Sequence, residues 1–579
     1  MTQRRTLILK LFILVLLAGC GSSVSRTQHR VDAYPIPADA EKIQVQGEFG
    51  GRLIHPLLRP PRSFNPLAAS DSNTNLVTSL THATLLELER TSMQVVPGIA
   101  KSWKVEDGGR RIRLSLRRGA RFSDGQPLSA DDVIFTFDAI YAVNSHNVRK
   151  DDLIFRDRKI NYLRVADDEV TLEFPFTYTP ALYLLSTVPV LPRHKLQSLA
   201  ASRPIEALMG VESSADQCVG LGPFRIKQAK SNKEIVLEAN PHYWRVDSAG
   251  QRLPYLTEVV LPVVNSRDSA FMQFRSGVVD MVDRLRVEDY LSLVKKQSGS
   301  IEVRNAGAST NLNMLCVNQN ADLRSPKRVY FNNPVFRKAL ALSIDRKALV
   351  EKVFRGQATV LNELWPSSLR NALDHLPPYP YDPAEAIALF TRSGLKMAER
   401  DGEKELVDGS GKPFSLVLLT NTDPVKEALA TMLQEDFRKV GIKVQISQND
   451  QRAVIDRFLN RRDYEMILFS TIFPPEPADL QSVLKSRGEQ HMWNPGQKKP
   501  ATPWEAEIDR LTDEMVSAAD AEKSRQSFHR IQEILMQQMP IIPLVAEDVL
   551  VGLRKNVRNV HPSVLAPHLL WNSWELYVK

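Results

Sequence analysis

The sequence predicts a mixed α/β fold, and two kinds of apolar spacing indicate it. Residues 111–117 (RIRLSLR) and 234–239 (EIVLEA) alternate apolar and polar side chains, as half-buried strands do. Residues 426–439 instead repeat their apolar side chains on one helical face. The strand-like residues 441–446 follow this helix at once, and a helix that leads directly into a strand is typical of a packed α/β layer.

Capping residues mark where several helices begin. Asp382 followed by Pro383 predicts a helix start, and Gly394 predicts its end. Residues 98–136 contain two Asp-Gly turn signals and then Ser129 before two acidic residues. This order predicts a β-hairpin followed by a helix that Ser129 caps.

The N-terminus has the pattern of a secretory signal peptide. Two arginines precede an apolar run at residues 11–17 (LFILVLL), and small residues precede Cys20. The run is too short to cross a bilayer as a helix, which needs about 20 residues. We therefore expect residues 1–19 to be a signal peptide, with an uncleaved anchor as the alternative. Residues 20–41 are polar and contain serine and proline, which predicts a flexible tether.

Cys20 is the expected lipidation site. Residues 17–20 (LAGC) resemble a bacterial lipobox, in which the cysteine thiol is acylated and becomes the new N-terminus. The resemblance implies attachment to a membrane through acyl chains, each buried CH₂ contributing about 0.8 kcal/mol. Gly21 gives no sign of retention at an inner membrane.

Charge and motifs argue against nucleic-acid binding and catalysis. The formal net charge of +8 falls by three when residues 1–19 are removed, and the basic pairs are scattered rather than clustered. The sequence contains no HExxH, GxSxG, paired CxxC or P-loop motif, and its histidines are dispersed. We expect no enzyme, no cofactor and no metal site. Cys218 and Cys316 either pair in a disulfide or remain buried thiols.

A collinear series of short motifs resembles the extracellular solute-binding proteins of family 5, which serve ABC importers. It covers nearly the whole chain after residue 45. Glycines and prolines in these motifs set turns, and their aromatic residues are expected in the core. The segments, in order, are residues 97–103 (PGIAKSW), 116–122 (LRRGARF), 124–133 (DGQPLSADDV), 219–224 (VGLGPF), 240–244 (NPHYW), 276–280 (SGVVD), 335–346 (VFRKALALSIDR) and 540–543 (PIIP).

The resemblance implies a bilobal fold like the type II periplasmic binding proteins, with an extra domain inserted in the first lobe. Lobe I is expected at residues 42–72, 206–308 and 541–579, the inserted domain at residues 73–205, and lobe III at residues 309–540. A peptide or peptide-like solute would bind between lobes I and III. The implied partners are that solute, ABC permease subunits and the membrane through the N-terminal lipid, with the protein a monomer at the periplasmic or extracellular face.

One stretch departs from the family pattern. In peptide-binding members, a lobe III segment resembling W-x-A-D-Y-x-x-P supplies an aspartate that pairs with the peptide α-ammonium. Residues 470–477 (STIFPPEP) correspond to it, and alignment on the final proline puts Phe473 at the aspartate position. A phenyl ring cannot neutralise an ammonium group, and a buried unpaired charge costs several kcal/mol. Either Glu476 or Asp479 substitutes, or both are charges at the rim.

Other ligand contacts are expected on two grounds, and ordinary packing is the competing explanation for each of them. Asp71, Ser72 and Gln451 are implied by their position in the family pattern. Trp493 and Asn494 lie in a loop rich in proline and glycine, where a tryptophan between two lobes can form an apolar wall, and Trp365 lies in another such loop.

Two functions of other classes remain open beside transport. A sensor or a surface binding protein, such as an adhesin or a captor of haem or siderophores, would have the same fold. Nickel or haem capture would need histidine or carboxylate ligands in the cleft, which sequence alone does not place.

Overall fold

The computed structural model describes residues 34–155, 157–296, 299–320, 325–373, 379–400, 402–518 and 520–579. Helices and strands are mixed along the chain, and the predicted α/β class is confirmed. The α-helices are Ser72–Thr81, Ala130–Tyr141, Ala181–Leu185, Arg193–Ala200, Arg267–Ser276, Val287–Lys296, Arg328–Phe331, Pro334–Leu342, Arg346–Lys352, Pro383–Arg392, Pro424–Lys439, Gln451–Ile455, Gln481–Leu484, Pro503–Ser517 and Ala521–Gln538.

A first sheet of four strands combines early and middle parts of the sequence. Ile235 and Leu237 are buried while their neighbours are partly exposed, so the alternation predicted for residues 234–239 is present. Helix Ser72–Thr81 packs against the first strand of this sheet. In spatial order the strands are Phe224–Lys230, Glu234–Ala239, Glu258–Pro262 and Arg52–Ile54, and the last pair is parallel.

A second sheet, fully antiparallel, carries the predicted hairpin. Helix Ala130–Tyr141 follows it and begins with a capping box, in which the backbone N–H of Ser129 donates to Asp132 Oδ2 at 2.9 Å. The predicted hairpin and helix start are therefore confirmed. In spatial order the strands are Ala100–Glu106, Arg111–Leu116, Glu169–Glu173 and Asn161–Ala166. A separate hairpin joins Leu86–Glu89 to Gln94–Pro97.

The longest sheet joins two parts of the molecule through a pair of long strands. We call Ile301–Val317 and Ile541–Arg554 the crossing strands. They pair antiparallel from Ile301 opposite Arg554 to Cys316 opposite Ile541. In spatial order the sheet is Met281–Val282, Ile541–Arg554, Ile301–Val317, Met466–Ile472, Ser415–Asn421 and Lys443–Asn449, with Ala358–Val360 also on Ile541–Arg554.

Helices cover the far half of the long sheet, and local signals fix their ends. Asp382 accepts a hydrogen bond from the Glu385 backbone at 2.9 Å and starts Pro383–Arg392, as predicted. Helix Pro424–Lys439 leads through Gly441, at φ +84°, into strand Lys443–Asn449. The predicted helix-to-strand unit is confirmed.

Shorter strands complete the secondary structure. The remaining paired segments are Glu41–Lys42 with Arg245–Val246, Ile154–Phe155 with Arg158–Lys159, Lys396–Arg400 with Glu403–Val407, and Val557–Arg558 with Tyr577–Val578.

The chain packs against the body from Tyr34 onward, earlier than the tether boundary expected at residue 41. Arg252 donates hydrogen bonds to the carbonyls of Tyr34 and Pro35 at 3.0 and 2.8 Å. Lys101 forms an ion pair with Asp39 at 2.7 Å. The late part of the expected tether is thus held by the folded protein.

Cys218 and Cys316 are buried free thiols, so the disulfide alternative is not realised. Burial raises the pKa of Cys218 to about 12. Cys20 and residues 1–19 lie outside the described residues. Within the part of the chain that the structure describes, no helix has the length and apolarity needed to span a membrane.

Candidate solute-binding cleft

A cleft of about 1560 Å³ opens beside the crossing strands. Their ladder shifts register between Asn305 and Ala308 and again before Leu312. Ser309, Thr310 and Asn311 lie in this interruption and line the cleft. The volume exceeds the roughly 300–1,000 Å³ of pockets for drug-sized ligands. The cleft therefore has room for a solute of several linked residues.

Part of the wall is apolar. Ile472 is 67% exposed although it ends a strand of the long sheet, and it lines the cleft beside Phe473. Trp571 and Trp574 line it as well, with ring centroids 6.4 Å apart. An exposed isoleucine and aromatic rings in a concavity provide surface that an apolar part of a solute can cover.

Arg245 belongs to a neutralised charge cluster in the wall. Its guanidinium lies 2.8 Å from Glu87 and 3.1 Å from Glu41. It also lies 4.4 Å from the Trp244 ring centroid and 4.3 Å from that of Trp574. Although burial opposes the charge, the carboxylates of Glu87 and Glu41 raise the pKa of Arg245. These pairings leave Arg245 committed to the protein itself.

Arg90 and Arg284 line the same cleft without such pairing. Among the described residues, no carboxylate lies within 4.0 Å of either guanidinium. Arg90 donates to the Ala566 carbonyl, and Arg284 Nε donates to His568 Nε2 at 3.1 Å. Burial lowers the pKa of Arg90 to about 10, so it remains a cation at neutral pH.

Three carboxylates line another part of the cleft: Glu547 and Asp548 on crossing strand Ile541–Arg554, and Asp423 at the start of a helix. Glu547 makes no side-chain hydrogen bond to the described residues. Asp548 accepts hydrogen bonds from Asn305 at 2.7 Å and Thr359 at 3.1 Å. Asp423 caps helix Pro424–Lys439. The cleft thus offers charges of both signs.

Among the ligand contacts predicted from the sequence, all of which lie in the described part of the chain, only Phe473 lines the cleft. Its side chain is 3% exposed and packs edge-on against Trp365, with centroids 6.4 Å apart. Its backbone N–H donates to the Thr310 carbonyl at 2.8 Å, which joins the segment to a crossing strand.

Three other predicted ligand contacts lie near helix starts, outside the cleft lining. Asp71 caps helix Ser72–Thr81 by accepting from the backbones of Asn73 and Thr74, both at 3.0 Å. Ser72 is exposed at the start of that helix, and Gln451 accepts a hydrogen bond from Asn421 at 2.5 Å. None of Asp71, Ser72 and Gln451 lines the cleft.

Glu476 also caps a turn rather than facing the cleft. It accepts from the Ala478 backbone at 3.3 Å at the start of the 3₁₀ turn Pro477–Leu480. Burial raises the pKa of Glu476 to about 7. Neither Glu476 nor Asp479 is among the residues that line the cleft.

Trp493 and Asn494 lie inside the protein. Trp493 is 1% exposed and donates to Glu505 Oε1 at 3.0 Å, and its ring lies tilted against that of His491, with centroids 4.0 Å apart. Asn494 is buried and donates to Gln497. Because a loop composition gives no side-chain direction, the sequence did not separate these internal contacts from ligand contacts.

Arg90, Arg284 and Glu547 were missed as cleft residues. Glu547 had a readable signal, because it interrupts the otherwise apolar residues 541–553 together with Asp548. Arg90 and Arg284 had none, since they come together only in the folded chain. The described residues contain no group of three or more histidine, cysteine, aspartate or glutamate side chains suited to hold a metal ion.

Comparison with known proteins gives a consistent result. The family model described as "Bacterial extracellular solute-binding proteins, family 5 Middle" matches residues 94–490. The oligopeptide-binding protein AppA of Bacillus subtilis is 24% identical over 565 residues, covering 93% of each chain. Its structure in complex with a nonapeptide superimposes with a TM-score of 0.67 at 21% identity, covering 92% of this chain and all of that one.

A second solved structure has the same fold. The ABC transporter substrate-binding protein CtaP of Listeria monocytogenes superimposes with a TM-score of 0.75 at 20% identity, covering 92% of this chain and 100% of that chain. The predicted periplasmic-binding-protein fold is confirmed. The family consists of solute-binding proteins rather than enzymes, which confirms that prediction also. The chain belongs to the bacterial extracellular solute-binding proteins of family 5.

Proposed function

We propose that the chain is the substrate-binding lipoprotein of an ABC importer and captures a peptide or peptide-like solute between two lobes. Lobe I comprises residues 42–72, 206–308 and 541–579, and lobe III comprises residues 309–540, with residues 73–205 inserted. A solute that contacts both lobes stabilises the closed state, because only differential contact shifts a conformational equilibrium. The closed protein is then recognised by the permease.

The cleft beside the crossing strands carries this proposal. Its volume of about 1560 Å³, its apolar surface around Ile472 and its charges of both signs suit a zwitterionic chain with mixed side chains. The relative AppA is named an oligopeptide-binding protein and holds a nonapeptide in its solved structure. These observations favour a peptide over a sugar or a bare metal ion.

The amino terminus of the solute needs an anchor other than an aspartate at position 473. Phe473 offers only an apolar ring, and Glu476 and Asp479 lie outside the cleft lining. Glu547 lines the cleft on a crossing strand and has no side-chain hydrogen bond to the described residues. We assign the ammonium group of the solute to Glu547 within this proposal.

A thermal-shift screen of the full-length chain in mild detergent tests the proposal. Di- to hexapeptides, N-acetylated peptides, sugars, haem and metal ions serve as candidate ligands. A ligand at 100 times its Kd stabilises the fold by about 2.7 kcal/mol, which is a clear shift. We expect peptides to shift the unfolding midpoint, and sugars and metal ions not to do so. A shift by haem or a metal ion alone contradicts peptide capture.

Lipidation at Cys20 is tested separately. Intact-mass analysis of the membrane-extracted protein should show loss of residues 1–19 and a gain of acyl mass. Cys20→Ala should lack the acyl mass. If the two proteins differ only by the substituted atoms, attachment through this cysteine is excluded.

A further inference from the structure

We propose that Arg90 and Arg284 form a subsite that binds the terminal carboxylate of the captured solute. The inference rests on the proposed peptide capture and names how one end of the peptide is recognised.

Both guanidinium groups are fixed by the same short segment of lobe I. Arg90 donates to the Ala566 carbonyl, and Arg284 Nε donates to His568 Nε2 at 3.1 Å. The two arginines are far apart in sequence, yet residues 566–568 bring their side chains to one part of the cleft wall. Their remaining N–H groups have no acceptor among the described residues.

His568 holds Arg284 as a neutral acceptor. Its Nδ1 lies 2.8 Å from the Ser563 carbonyl, which requires a proton on Nδ1 and leaves Nε2 free to accept from Arg284. Burial lowers the pKa of His568. The nearby Asp283 charge opposes this effect and the Arg284 charge adds to it, and the lowered pKa favours the neutral form. The backbone of Arg284 has φ +50°, a conformation that non-glycine residues rarely adopt. Such backbone conformations cluster at binding sites.

The unneutralised charge distinguishes this pair from other arginines of the cleft. Arg245 is paired with Glu87 and Glu41, and Arg286 is paired with Asp268 at 2.6 Å. Arg267 also lacks a carboxylate partner among the described residues, but it is exposed and no hydrogen bond fixes it. Among the arginines that line the cleft in the described part of the chain, Arg90 and Arg284 alone combine a hydrogen-bonded guanidinium with the lack of a carboxylate partner.

A carboxylate is the anion that this arrangement suits. A planar guanidinium donates two parallel hydrogen bonds to a carboxylate, and such charge-assisted bonds are stronger than neutral ones. Arg90 is held in the wall where burial already disfavours its charge. A carboxylate from the solute therefore supplies the missing partner, while Glu547 elsewhere in the cleft suits the opposite end of a zwitterion.

The test compares tri- to hexapeptide pools free of aspartate and glutamate, each made as the free acid and as the C-terminal amide. Affinities are measured by calorimetry on the full-length chain in detergent. We expect the acids to bind about 10- to 100-fold more tightly than the amides, as for hydrogen bonds to charged groups. Arg90→Gln and Arg284→Gln should reduce this ratio to near one. Arg90→Lys and Arg284→Lys should retain part of it.

Arg286→Gln is the matched control, because Arg286 lines the same cleft but is already paired. It should keep the acid-to-amide ratio of the unaltered chain. Equal binding of acids and amides overturns the subsite while peptide capture stands. A ratio that survives both Gln substitutions also overturns it, since the carboxylate is then bound elsewhere. If peptides of neither form bind, peptide capture and this subsite fail together.

Discussion

The cleft contains two groups of arginines whose surroundings differ in one respect. Arg245, with Arg117 behind it, is neutralised by Glu41 and Glu87, and both guanidiniums stack on the Trp244 ring at 4.4 Å. Arg90 and Arg284 have hydrogen bonds to Ala566 and His568 but no carboxylate partner among the described residues. The first group completes its own charge balance, whereas the second lacks an anion.

This difference separates residues that maintain the fold from residues that are available to a solute. A paired buried charge is costly to break, because the partner is left uncompensated. An unpaired charge beside a cleft gains its partner only when a solute binds. Changes in the first group should therefore alter stability, and changes in the second should alter affinity.

The largest expected effect follows from Arg245→Met. Removal of the guanidinium leaves Glu41 and Glu87 without their shared cation and should lower the free energy of unfolding by about 3–5 kcal/mol. Arg284→Met should lower it by less than about 1 kcal/mol, the value of a single hydrogen bond. Unfolding in guanidinium chloride, followed by tryptophan fluorescence, measures the free energy of unfolding of both variants. If both variants lose the same free energy of unfolding, the paired and unpaired arginines do not differ in their contribution to stability.

Glu505 provides a second neutralised framework site, and its loss should cost slightly less. Although burial opposes its charge, interactions with His491, Trp493 and nearby backbone N–H groups lower the pKa of Glu505 to about 2. Glu505→Gln should therefore destabilise the protein by about 3 kcal/mol at pH 7, from 1.36 kcal/mol per unit of pKa. Glu507→Gln on the same helix is the control, because Glu507 is exposed and pairs with Arg510.

The sign of the pH dependence follows from the lowered pKa. The unfolded chain takes up the Glu505 proton near its ordinary pKa of 4.5, before the folded protein does so near 2. The stabilisation is present above pH 4.5 and is lost as the pH falls toward 2. Denaturant midpoints of the unaltered chain and Glu505→Gln should thus converge below about pH 4.5. A constant difference across this range would contradict the assignment.

Gly222→Ala tests whether the turn at residues 219–224 belongs to the framework. A Cβ at this position would lie 2.5 Å from the Thr81 carbonyl carbon and 2.6 Å from the Leu80 oxygen. Both atoms are backbone, so the close contact can be relieved only by moving the chain, which should cost about 1–3 kcal/mol. Gly210→Ala is the control, because nothing lies within 4 Å of its Cβ. Similar thermal midpoints for both variants would contradict this account.

The fold was predictable where local chemistry decides it. Ser129 and Asp382 cap helices through neighbouring backbone groups, and the alternation of residues 234–239 directly reports one buried face. The site was less predictable, because its geometry depends on distant parts of the chain. Arg90 and Arg284 are 194 positions apart in sequence, and each is held by a hydrogen bond to the segment 566–568.

The aromatic residues show the same limit. Trp493 was expected at the ligand because its loop is rich in proline and glycine, but Glu505 and His491 hold its ring inside the protein. Phe473 was placed by alignment and does line the cleft. The alignment therefore located one segment that lines the cleft, whereas loop composition did not show which way the Trp493 side chain points.

The smallest expected effect concerns Asp71, which the sequence placed at the ligand and the structure places at a helix cap. Asp71→Ala removes the acceptor for two backbone N–H groups of helix Ser72–Thr81 and should destabilise the protein by about 1 kcal/mol. Asp71→Asn should recover most of this loss, since asparagine caps nearly as well. Because Asp71 lies outside the cleft lining, peptide affinity should stay within about twofold in both variants. A tenfold loss of affinity in calorimetry, with the thermal midpoint unchanged, would instead establish Asp71 as a ligand contact and place it with Arg90 and Arg284.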